Sequence, residues 1–131
     1  MKKNVKVGQA NEWIKGDHVY DIHNCYDYVG LLLLNCGRTL ELIFEPNKDH
    51  GKGFNSIRLQ FYGISFLEFS SGFGTAFTFN VEEVGYKTSG DNDDNWLLSE
   101  GQSLNSDHLF FRFNGDEYIR VYSADADLKV F

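Results

Sequence analysis

Apolar side chains at every second position constrain this chain more than any other feature. Leu40, Leu42 and Phe44 alternate with Glu41, Ile43 and Glu45. Ile57, Leu59 and Phe61 alternate with Arg58, Gln60 and Tyr62. Phe77, Phe79 and Val81 form a further row, Leu109, Phe111 and Phe113 another, and Ile119 and Val121 continue the pattern. Successive side chains of a strand point to opposite faces, so each row reads as a strand with one buried face.

Turn signals separate the rows. Cys36-Gly37-Arg38 precedes Thr39 to Glu45, which predicts a hairpin with the apolar run Val29 to Asn35 before it. That run is continuous rather than alternating, which predicts a strand buried on both faces or at a sheet centre. Pro46 closes the second strand, and Asn47 to Gly53 reads as a loop. Gly63 interrupts its row and predicts a bulge or bend before Phe66 to Phe69. Gly72-Phe73-Gly74 and Asn114-Gly115-Asp116 are turns. His18 to Asn24 and Leu128 to Phe131 are expected as the first and last strands. Asn11 is placed to cap a helical turn over Glu12 to Lys15, ended by Gly16.

Seven or eight short strands with turns about every ten residues, and no βαβ alternation, predict an all-β, mainly antiparallel fold. The expected architecture is a β-sandwich or strongly curved partial barrel with at most one short helix, near the N-terminus. Aromatic residues are 16% of the chain, which suits pleated, half-buried surfaces. At 131 residues, 1–131 is read as a single domain. Such a chain buries roughly two thirds of its unfolded surface and needs no metal or disulfide to be stable.

Neither a secretory signal nor a membrane-spanning run is visible, and two cysteines, Cys25 and Cys36, are too few for a disulfide framework. A cytoplasmic location with reduced thiols is the expectation. The net charge of −7 is uneven: Met1 to Lys87 carries ten acids and nine bases, Thr88 to Phe131 nine acids and three bases. Nucleic acid is therefore not expected as a partner, because its phosphates require basic patches. An acidic surface instead favours a basic protein partner.

The segment SGDNDDNWLLSEG, Ser89 to Gly101, concentrates that acidity. Asp91, Asp93 and Asn95 match the first three ligand positions of an EF-hand loop. Trp96 stands where the glycine belongs, and Gln102 where the bidentate glutamate belongs, so no metal site is assigned. A solvated loop that doubles as a docking edge is the reading, with Asp91, Asp93, Asp94, Trp96 and Glu100 as its contact residues. Tryptophan beside charges is a common anchor of protein interfaces.

Catalytic signatures are missing. His18, His23, His50 and His108 do not stand at metal-ligand spacing, and neither cysteine lies in a C-x-x-C pair. Gly63-Ile64-Ser65-Phe66-Leu67 matches only half of a nucleophile elbow. Gly51-Lys52-Gly53 does not continue into a phosphate loop. No catalytic residue and no cofactor is assigned. A second binding reading rests on Tyr118, Arg120 and Tyr122, which share the face opposite Ile119 and Val121. Exposed tyrosines of this kind serve β-sandwich modules as stacking platforms for small ligands or carbohydrates.

The string Ile57-Arg58-Leu59-Gln60-Phe61-Tyr62-Gly63-Ile64, preceded by an apolar strand, a turn and L-E-L, and followed late by Phe111-Arg112-Phe113 and Ile119-Arg120-Val121, carries a resemblance. It resembles small uncharacterised all-β bacterial families, some similar to immunity proteins of polymorphic toxin and contact-dependent inhibition systems. The resemblance covers about Val29 to Val130 and implies neutralisation of a toxin by binding, often over a basic nuclease site. It carries no catalytic motif.

Overall fold

The computed structural model of the protein describes residues 1–74, 80–92 and 96–131. Phe77 and Phe79 of the predicted rows, and Asp93 and Asp94 of the acidic loop, lie outside the described residues.

Ten strands are described: β1 (Lys2–Lys3), β2 (Lys6–Val7), β3 (Trp13–Lys15), β4 (His18–Tyr20), β5 (Tyr26–Leu34), β6 (Thr39–Pro46), β7 (Ile57–Phe69), β8 (Val81–Lys87), β9 (His108–Phe113) and β10 (Tyr118–Val130). The main sheet runs β5-β6-β7-β10-β9-β8 and curls into a half-barrel, while β2-β3-β4 form a small second sheet. All pairs are antiparallel except β1, which joins β10 in parallel at Asp125 and Ala126, beyond the four β10 residues that pair with β9. The all-β fold expected from the alternation is the fold found.

The predicted rows line the concave core. Leu40, Leu42 and Phe44 of β6, Ile57, Leu59 and Phe61 of β7, and Ile119, Val121, Ala126 and Leu128 of β10 are fully buried. The register stacks Leu42 on Leu59 and Leu59 on Leu128, and sets small Ala126 opposite Phe61. Each large side chain withdrawn from water this way contributes about 1.5–3 kcal/mol. The small sheet closes the core with Trp13, whose ring meets Phe44 edge-on at 4.9 Å and Phe111 at 6.0 Å.

Gly63 marks the predicted bend. Its φ is +66°, and a Cβ there would lie 3.1 Å from Ala124 Cβ. Just past this point, where the Ile64 N–H still donates to the Arg38 carbonyl, β7 leaves β6 and continues along β10, with a register shift at Tyr122 and Ser123. The two stretches read separately in the sequence are one 13-residue strand.

Two expectations are corrected. The segment after Asn11 is not helical: Trp13–Lys15 is a strand. Asn11 takes a left-handed φ of 56°, and its Oδ1 accepts the Val84 N–H instead of capping a helix. Nor is β5 central. Among the described residues it is the last strand of its sheet, and Val29, Leu32, Leu33 and Leu34 are exposed.

The anchored acidic loop, a candidate functional site

Residues 108–113 show two faces. Leu109, Phe111 and Phe113 enter the core, while His108, Phe110 and Arg112 point the other way. On that outer face they meet Phe66 and Glu68 of β7, Lys87 of β8, and Tyr118, Arg120 and Tyr122 of β10. This floor is cationic and aromatic, and the acidic segment crosses it.

Four contacts hold the crossing chain. Tyr86 and Leu98 exchange both backbone hydrogen bonds, at 2.9 and 2.8 Å, extending the sheet past β8. Gly85 lets the chain come close: a Cβ there would lie 2.7 Å from Leu97 Cβ and 2.9 Å from the Leu98 oxygen. Lys87, fully buried, donates from Nζ to the Trp96 carbonyl at 2.8 Å and lies 3.7 Å from the Asp91 carboxylate. Arg120, also buried, donates from Nη1 to the Asp91 carbonyl at 2.6 Å and from Nη2 to the Thr88 carbonyl at 2.8 Å. Two buried cations thus donate to the Thr88, Asp91 and Trp96 carbonyls of the crossing chain.

Arg120 Nε also donates to His108 Nδ1 at 3.0 Å. Burial and the neighbouring guanidinium push the His108 pKa below its ordinary value, against the weaker pull of Asp107 and Glu68. Phe66 lies under the guanidinium at 5.5 Å and against the His108 ring at 4.5 Å.

The contact residues read from the sequence separate into two kinds. Asp91 is turned inward, its carbonyl on Arg120 and its carboxylate beside Lys87. Glu100 is a structural knot: Oε1 accepts from the Tyr86 hydroxyl at 2.7 Å and the Val7 N–H at 2.8 Å, and Oε2 pairs with Lys3 Nζ at 3.0 Å. Burial works against its charge, but these hydrogen bonds and the Lys3 ammonium prevail and hold its carboxyl below the usual range. Burial, with Glu100 beside it, raises the Tyr86 pKa far above a phenol's ordinary value. Among the described contact residues, Trp96 is the one that faces outward, with 70% of its surface exposed while its carbonyl is held from below.

Tyr118, Arg120 and Tyr122 do share one face. Arg120 is a strut under the loop, however, and Tyr118 stacks on Phe110 at 5.0 Å and donates to Glu68 at 2.9 Å. Tyr122 sits against the His108 ring at 5.6 Å.

An aromatic concavity does occur elsewhere, where the sequence reading placed none. Lys15, His18, Tyr20, Tyr26, Phe54 and Asn55 line a groove of about 490 Å³ between the small sheet and the loop after β6. Phe54 is half-exposed and stacks on Tyr26 at 6.2 Å. The only signal in the sequence was Phe54 itself, an aromatic inside a stretch of glycine and polar residues. Among the described residues, no three His, Cys, Asp or Glu side chains are grouped to hold a metal.

Comparison with known proteins finds no matching family model, no matching curated protein and no matching solved structure.

Proposed function

We propose that the protein is a non-enzymatic protein-binding domain that presents Trp96 to a basic partner, in the manner of an immunity protein neutralising a toxin. The observation that carries this reading is the contrast at Trp96: its backbone oxygen is fixed by a buried lysine, and its indole stands 70% exposed. An aromatic held in place before contact loses little freedom on binding, and tryptophan is enriched among residues that dominate interface energies. The last third of the chain carries nine acids against three bases, which favours a basic partner and speeds encounter with it.

The test is affinity capture from the native lysate with wild type and Trp96→Ala side by side, each washed at low and high salt. The expected result is a stoichiometric basic partner on wild type, released by salt and bound about 30-fold or more weakly by the variant. A partner held equally by both proteins removes Trp96 from the contact.

A second reading is favoured by the groove at Tyr20, Tyr26 and Phe54, where the half-exposed Phe54 ring beside Asn55 and His18 suits a small ligand such as a sugar. Amide NMR titration with disaccharides tests it. Shifts confined to residues 15–20 and 53–55 support this module, and unchanged spectra at millimolar sugar reject it.

A further inference from the structure

Strand β5 ends the main sheet on one side, and its residues pair through β6 alone among the described residues. Among the described residues, no second strand pairs with the backbone groups along its outer edge. The side chains there are apolar: Leu32, Leu33 and Leu34 are 43–46% exposed and Val29 is 52% exposed. Large apolar residues crowded on an unpaired edge mark an interaction surface rather than ordinary surface chemistry.

The strand itself indicates the occupant. Between Asp27 and Arg38 there is no charged residue. A register shift between Tyr28 and Gly30 irregularly bends the strand, which leaves Gly30 to Leu34 as the regular stretch. Facing residues of an antiparallel pair share one face. A copy of the same stretch laid antiparallel on this one sets Leu32 against Leu32, Leu31 against Leu33, and Gly30 against Leu34. The same two-fold brings Asp27 of each copy to the turn that carries the other copy's Arg38, an exposed residue. Opposite charges thus meet at both ends of an uncharged centre, in a chain whose net charge of −7 otherwise opposes self-association.

We propose that β5 is a homodimerisation edge, pairing two copies of this chain antiparallel about Leu32. An isologous contact of this kind closes after one partner. The opposite side of the sheet does not offer a second such edge along its whole length, because Leu98 bridges Tyr86 on β8. The contact is separate from the Trp96 loop and independent of the binding role proposed for it.

Sedimentation equilibrium of the full chain tests this, with circular dichroism confirming the fold of each variant. Wild type is expected to form a concentration-dependent dimer. Leu32→Lys, which sets two ammonium groups face to face, is expected to be folded and monomeric. Arg38→Asp is expected to weaken the dimer several-fold, and Asp27→Arg combined with Arg38→Asp to restore it. A wild-type dissociation constant weaker than about 1 mM overturns the proposal. So does a dimer that survives Leu32→Lys, or charge reversals whose combination fails to recover association.

Discussion

Nε of Arg120 lies 3.0 Å from Nδ1 of His108, with both side chains buried. A guanidinium only donates, so this hydrogen bond assigns the imidazole as neutral with its proton on Nε2. The same guanidinium holds the carbonyls of Thr88 and Asp91. The ionisation of one histidine is thereby coupled to the seating of the acidic loop.

Acid is expected to loosen that loop. The folded His108 pKa is depressed, by burial first and Arg120 second, so the unfolded chain takes up the proton before the folded one. The stabilisation is complete above the unfolded value of about 6.5 and is lost as pH falls from there through the folded value. Amide hydrogen exchange at residues 88–91 is expected to quicken, relative to the core strands, as pH falls below about 6.5. His108→Gln, which keeps an acceptor for Arg120, is expected to flatten that dependence. An equal dependence in the variant assigns it to another group.

Glu100 acts in a lower pH range with the same sign. Its folded pKa is lowered, so its contribution is complete above the unfolded value of about 4.3 and disappears as pH falls through the folded one. Glu100→Gln retains acceptors for Tyr86 and Val7 but leaves Lys3 without its counter-charge. The variant is expected to lose about 1 kcal/mol at pH 7, allowing for the partial exposure of the pair, and to show a shallower fall in stability below about pH 4.5. Urea denaturation at a series of pH values measures both.

Lys87→Met keeps the apolar stem and removes the ammonium. The Trp96 carbonyl then loses its donor, and Asp91 loses a neighbouring cation. Breaking one side of a buried polar contact costs more than the contact itself contributes, so a loss of about 2–4 kcal/mol is expected. A methionine variant as stable as wild type, measured by denaturant midpoint, contradicts the anchoring role.

Gly85→Ala separates space from charge. The added methyl lies 2.7 Å from Leu97 Cβ and 2.9 Å from the Leu98 oxygen, too close for either to remain in place. The crossing segment is expected to shift, with a cost of about 1–3 kcal/mol and loss of the slow exchange of the Leu98 amide. Gly90→Ala, where a Cβ meets nothing within 4 Å, is the matched control and is expected to leave that amide unchanged.

Alternation made the core legible because burial on one face is a local property of a strand. Leu40, Leu42 and Phe44 needed no knowledge of their neighbours to be placed inside. Strand order is not local. A continuous apolar run such as Val29–Leu34 suits a sheet centre as well as a sticky edge, and only the pairing with β6 on one side decides between them. Asn11 was misleading for a related reason: asparagine caps helices and also adopts left-handed turns, and its decisive partner, Val84, is 73 residues away. The acidic loop showed its charge but not its use. Glu100 finds Lys3 at a separation of 97 residues, and Asp91 turns toward a lysine and an arginine that sit on different strands.

The two tryptophans occupy opposite extremes, Trp13 at 1% exposure in the core and Trp96 at 70% on the loop. They form a built-in pair of optical reporters. An aqueous quencher such as iodide reaches the exposed indole and is excluded from the buried one. The quenchable fraction of the native emission therefore reads the loop alone, and the remainder reads the packing around Phe44 and Phe111. Anything that settles onto the loop can be followed in unlabelled protein as protection of that fraction, while the protected signal reports whether the fold beneath it has stayed intact.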